Sequence, residues 1–445
     1  MSRQVFVDAH CHLFNFVDVP VYETLNGQAR VNTLKKLGAA LGASTVLTLG
    51  FLRKGVEKHK NILQFFERPQ EENLIGLARE IQATGKSELT VLTPLVMDFD
   101  CVRQDCGEDC KPCTGKLCPI PGSQADTVPD DPSVEGQFLR LRHAVERAHE
   151  LHPEVSDNLR VLPFLGLDLR KLNPEGSTLL EDLQTFWQQY GVTKAERKQG
   201  FSSLQSGKAM GIKLYPPIGF NPYPVENKQA VLEYTRFYEW CIDEGIPLTV
   251  HCQSGSYSAT RKKRAVEADT HASNWRNMFR DWERGYLHST KDIKELRINF
   301  AHFGGEKGLE DMLDWYKKDG IDTGSWTYII IDMLRNYPNT YADLSAFAWA
   351  SNKDAGNFAS MLDKDAEGKF RDGHYQIKDK LLWGSDVPMI VSDKSYIAEN
   401  GAPSYQQLFS HFSNAIDKSK RLSSPQKKQL INSMVELNPS RFMLT

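Results

Sequence analysis

Short apolar runs recur along this chain at residues 5–10, 89–97, 160–168, 211–215, 247–251, 297–302, 340–344 and 380–384. Each is a few residues long and rich in Val, Ile, Leu or Phe, the signature of a buried strand. Between most of them apolar positions return at helical spacing, as in 230–244 and 307–318. Strand then helix, repeated eight times, predicts an α/β fold with a parallel sheet and crossover helices. Eight such units suit a closed (β/α)8 TIM barrel. A doubly wound open sheet is the alternative, but no Gly-rich phosphate turn follows the first strand.

A minimal barrel needs roughly 250 residues, so about 200 are surplus here. The surplus falls early, at 13–88 after the first strand and at 98–158 after the second. Both stretches leave the C-terminal end of a strand, which predicts two insertions over the catalytic face of a single domain spanning 1–445.

Composition narrows the class without adding chemistry. The 445 residues are 40% hydrophobic and 25% charged, with a net charge of −3. Those values suit a globular protein and give no pull toward nucleic acid or anionic membranes. No apolar run is long enough to span a bilayer. The first strand begins close to Met1, so a cytoplasmic location is expected. A small-molecule substrate fits this profile, in a monomer or a homo-oligomer.

Polar residues at the strand ends carry the chemistry. In Val5-Phe6-Val7-Asp8-Ala9-His10-Cys11-His12, two imidazoles one residue apart share a face of the first strand. Lys213 lies in the fourth run between Ile212 and Leu214, which turns it away from the helices. His251, His302 and Asp386 end the fifth, sixth and eighth runs. In a barrel all these tips converge on one mouth. Neutral imidazole and carboxylate together make a good site for Zn²⁺, Mn²⁺ or Fe²⁺.

This ordered set resembles the amidohydrolase superfamily of metal-dependent hydrolases. The resemblance runs from Asp8-Ala9-His10-Cys11-His12 to Trp383-Gly384-Ser385-Asp386-Val387-Pro388. Ala301-His302-Phe303-Gly304-Gly305 and Leu437-Asn438-Pro439-Ser440-Arg441-Phe442 resemble its amidohydrolase 2 branch. That branch holds hydrolases, lactonases and decarboxylases. The resemblance implies that His10, His12, His251 and Asp386 bind one divalent ion, Zn²⁺ first among the candidates. It makes His302 a second ligand or a catalytic acid/base. Lys213 is then either carboxylated and bridging two ions, or an ammonium that holds a substrate carboxylate.

The implied chemistry is attack by a water whose pKa the ion lowers from near 16 to about 7. Asp386 would serve as general base, then acid. The substrate expected is a small, anionic amide, ester or lactone. A decarboxylase using the same ligands is the alternative reaction, and a catalytically silent barrel the alternative class.

Two further features stand apart. Cys101, Cys106, Cys110, Cys113 and Cys118 are spaced C-x₄-C-x₃-C-x₂-C-x₄-C. Four of these could close a structural zinc knot, or the loop could carry free thiols or disulfides. Arg261-Lys262-Lys263-Arg264 follows the fifth strand. Arg261 could border the pocket and attract an anionic substrate, or the run could be a solvated helix face. Asp98 and Asp343, near the ends of the second and seventh strands, could touch substrate or pair with Lys or Arg. Cys11 and Cys252 are expected in the outer layer as packing residues.

Overall fold

The frame is a set of parallel strands: β1 (Val5–Cys11), β2 (Leu89–Pro94), β3 (Leu159–Val161), β4 (Phe164–Leu167), β5 (Gly211–Leu214), β6 (Leu248–Gln253), β7 (Ile298–Gly304), β8 (Thr340–Asp343) and β9 (Leu381–Leu382). They come from a computed structural model that describes residues 4–13, 65–66, 68–85, 88–98, 133–172, 177–254, 263–317, 324–370, 373–389 and 404–445. The order is β1-β2-β3 in one sheet and β4 to β9, in sequence, in the other.

One strand expected at 160–168 is thus two. Pro163 has no N–H to give the ladder, and β3 and β4 lie on either side of it. Hydrogen bonds to β2 carry across the break: Leu162 N donates to Leu92 O at 2.9 Å, and Val96 N to Phe164 O at 2.9 Å. At the other edge Ala9 N donates to Trp383 O at 2.9 Å and Asp386 N to His10 O at 2.8 Å, joining β1 to the end of β9.

Helices cover one face of these strands. Lys228–Glu244 and Gly305–Lys317 fall where helical spacing placed them. Asn227 caps the first by accepting from Ala230 N, and Gly245 ends it in the left-handed region. Gln70–Gln82 and Val134–Leu151 connect β1 to β2 and β2 to β3. Part of each early surplus stretch is therefore crossover helix. The rest, with the five clustered cysteines and Arg261, lies outside the described residues. Cys11 and Cys252 are buried in the layer between strands and helices, as expected. Among the described residues no helix is long and apolar enough to cross a membrane.

The opposite face is plugged at its N-terminal end. Val7, Val91, Phe164, Met210, Tyr341, Leu382 and Phe442 form one buried cluster. The Phe442 ring stacks on Phe164 at 6.3 Å and leans on Tyr341 at 5.4 Å. Arg197 crosses this floor fully desolvated, donating to Met210 O at 2.7 Å and Met443 O at 2.6 Å. The C-terminal helices pin the floor to β9, because Asn438 Nδ2 donates to Leu381 O at 2.8 Å and Trp383 N to Met434 O at 3.0 Å.

Candidate metal centre

Strand alternation puts His10 and His12 on one face, but the same count would add Asp8 to it. In β1, Asp8 pairs with Leu92 and Cys11 with Pro94, so β1 holds one extra residue there. This bulge changes which side the chain presents. Before it, Phe6 and Asp8 face the helices; after it, His10 and His12 face inward. Asp8 stabilises the irregularity by accepting from His10 N at 3.2 Å and Ser385 N at 2.9 Å. Tyr405 donates to its other oxygen at 3.0 Å and accepts from Trp383 Nε1 at 2.6 Å. Burial nonetheless pushes the Asp8 carboxyl up to about 6.

A second bulge lies in β7, where His251 pairs with Ala301 but Gln253 with Gly304. His302 and Phe303 take the excess in the left-handed region, with φ of 66° and 49°. Asp386 is left-handed too, with φ of 55°. Non-glycine residues in that region are strained, and here the turns aim the His302 and Asp386 side chains at His10. Gly384 allows the approach, since a Cβ there would sit 2.6 Å from His10 Cβ.

Two overlapping groups of donors result: His10, His12 and Asp386, and His10, His302 and Asp343. Asp386 Oδ1 lies 3.4 Å from His10 Nε2 and 3.5 Å from His12 Nε2. His12 Nδ1 is 3.2 Å from Leu95 O, and His10 Nδ1 is 3.0 Å from Asp343 Oδ2. A carbonyl and a carboxylate can only accept, so each Nδ1 carries the proton and each Nε2 presents a lone pair. These are the atoms and tautomers that a divalent ion needs. His251 lies against the same cluster, its Nδ1 3.0 Å from His302 Nε2 and its ring 4.7 Å from that of Tyr215.

Electrostatics match the geometry. Burial lowers the pKa of His12, lowers that of His251 strongly, and takes His302 down to about 3. Neighbouring imidazoles and Lys213 add to the effect. Burial would raise Asp386, but the imidazoles of His12, His10 and His302 around it hold it below the ordinary value. Lys213 is 1% exposed, and its Nζ has no hydrogen-bond partner among the described residues. Desolvation pulls it down to about 8, although Asp343 and Asp386 act the other way.

Asp98 takes the structural course left open for it. It accepts from Lys171 Nζ at 2.7 Å and from Asp168 N at 3.0 Å. Asn299 and Ser345 were not singled out in the sequence. Asn299 sits between Ile298 and Phe300 on the inward side, and Ser345 two residues past Asp343. Each was within reach of the same alternation rule that placed Lys213.

No protein-family model and no curated protein matches the chain. Among solved structures it is similar to an amidohydrolase from Burkholderia multivorans with bound HEPES, at 12% identity over 99% of both chains and a TM-score of 0.42. An amidohydrolase from Burkholderia multivorans with bound zinc is 10% identical, over 83% of this chain and 87% of that one, with a TM-score of 0.40. An amidohydrolase II is 12% identical over 83% and 89%, with a TM-score of 0.38. These likenesses are distant.

Proposed function

We propose that the chain is a metal-dependent hydrolase of the amidohydrolase kind, acting on an amide, ester or lactone that carries a carboxylate. We read its two sheets as one closed (β/α)8 barrel with the site at the C-terminal mouth. The observation that carries the proposal is the convergence of His10 Nε2, His12 Nε2 and Asp386 Oδ1, with both imidazole protons held on the far nitrogens. His251 completes the set. Zn²⁺ suits these donors best, and Mn²⁺ or Fe²⁺ also fit them.

An ion bound there supplies a Lewis acid and a water acidic enough to react near neutrality. The residues do the rest. Asp386, kept ionised by its neighbours, takes the proton of the attacking water and returns it to the leaving group. His302, held neutral by burial, lies beside His10 and His251 without adding charge. Lys213 is the cation for the substrate carboxylate, since its ammonium has no hydrogen-bond partner among the described residues.

Elemental analysis after loading with Zn²⁺ and dialysis is the first test. One tightly held equivalent is expected from the barrel site, and none would reject the proposal. Zinc lost in a Cys110→Ser, Cys113→Ser variant belongs instead to the cysteine loop. Screening against carboxylated lactones, esters and amides in H₂¹⁸O should then place solvent oxygen in the product. Release of CO₂ with solvent deuterium on carbon would identify a decarboxylase.

A further inference from the structure

Asp343 accepts from five donors. Oδ2 takes His10 Nδ1 at 3.0 Å and Asn299 Nδ2 at 2.7 Å. Oδ1 takes His302 N at 3.1 Å, Ser345 N at 3.1 Å and the Ser345 hydroxyl. A carboxylate so saturated has little left to offer an ion, although it falls within one of the two candidate donor groups.

The hydrogen positions follow by elimination. The only proton of the Ser345 hydroxyl points to Asp343, so Ser345 Oγ can meet His302 Nδ1, 2.8 Å away, only as acceptor. His302 therefore carries its proton on Nδ1. A neutral imidazole has only that one proton, which leaves Nε2 as a lone pair. The 3.0 Å contact of that Nε2 with His251 Nδ1 then requires a proton on His251 Nδ1. His251 Nε2 is bare in turn.

We infer that Asp343 is the positioning residue of this centre: directly at His10, and through Ser345 and His302 at His251, it orders three imidazoles so that the ligand nitrogens carry no proton. His302 is thereby a link in the chain, because a ring that accepts from His251 cannot give the same lone pair to a second ion. Nothing in the inference requires Asp343 to touch metal or substrate. It rests on the metal reading only for its purpose, not for its geometry.

The test uses full-length, metal-free protein labelled with ¹⁵N-histidine, with ring signals assigned through single His variants. His10, His251 and His302 are each expected as the Nδ1–H tautomer. Any one of them found as Nε2–H would overturn the chain. Asp343→Asn keeps size and shape. The two backbone N–H groups at Oδ1 hold the new carbonyl there, which turns the amide NH₂ toward His10. His10 should then switch to Nε2–H, and Zn²⁺ affinity measured by chelator competition should fall about 10- to 100-fold.

A folded Asp343→Asn protein with unchanged His10 tautomer and unchanged affinity would sink the inference. So would loss of one whole zinc equivalent with the remainder bound as before, since Asp343 would then be a ligand. Should Asp343→Asn not fold, the tautomers of the unsubstituted protein still decide. Should that protein bind no Zn²⁺, the proposed function fails while the tautomer result stands.

Discussion

The floor and the mouth of this molecule bury polar groups in opposite ways. On the floor, Arg197 lies among Phe164, Met210 and Phe442 and spends its donors on the backbone carbonyls of Met210 and Met443. Both terminal nitrogens are engaged, and only Nε is without a partner among the described residues. At the mouth, Lys213 is as deeply buried and has no hydrogen-bond partner among the described residues, while His10, His12 and Asp386 turn their remaining acceptor atoms toward one another. Four residues at this site, His302, Phe303, Ala346 and Asp386, hold left-handed backbone. Backbone strain and a buried, unpartnered ammonium cost stability, so their meeting at one site marks it as the part of the chain kept for something other than folding.

That contrast breaks most visibly at Asp386. Asp386→Asn should lower turnover about 10²- to 10⁴-fold while leaving the unfolding midpoint near its original value. A collapse of stability instead would mean that the mouth is structural. The floor should behave the other way. Arg197→Met fills the space but leaves two carbonyls unsatisfied, a loss of about 4 kcal/mol in urea unfolding. Activity per folded molecule should not change.

Lys213→Met should stabilise the protein at pH 7, by about 3 kcal/mol, and abolish preference for carboxylated substrates. The sign follows from a folded-state pKa of about 8 against the ordinary 10.5. Below pH 8 the folded state carries the full cost of a buried ammonium. Between 8 and 10.5 the unfolded chain holds more protons, so the original protein gains stability as pH rises and the gap to the variant closes. A gap that widens with pH would contradict a desolvated, unpaired amine. The smallest effect is expected behind the mouth. Tyr405→Phe strips a donor from Asp8 and an acceptor from Trp383, and should cost about 1 to 2 kcal/mol by thermal or urea unfolding.

Much of this was legible in the chain. The runs ending in His10, His251, His302 and Asp386 are apolar and bounded, and Lys213 is framed by Ile212 and Leu214, so a period of two places it inward. Asn299 and Ser345 obey the same rule, and the signal was present at both. What could not be read is what depends on a partner strand. A bulge is a mismatch between two ladders, and neither Val5–Cys11 nor Ile298–Gly304 announces its own. Pro163 is different, because a missing N–H is visible in one dimension and the interruption of β3 and β4 could have been expected from it. The hydrogen-bond chain through Ser345 was out of reach for a further reason. It joins residues 10, 251, 302 and 343, and its order depends on which atom accepts, a property of distances rather than of residue types.

The extra residue in β1 has a consequence for anyone aligning this chain with another. Counting back from His12, one would assign Asp8 to the metal lining and Val7 to the backing, and both assignments would be reversed. A gap placed between Val7 and His10 exchanges lining for backing on one side of the placement. On an unbulged ladder the same sequence would keep Asp8, His10 and His12 on one face. The carboxylate that now braces the helix Tyr405–Asp417 and the two imidazoles could then not point to opposite sides.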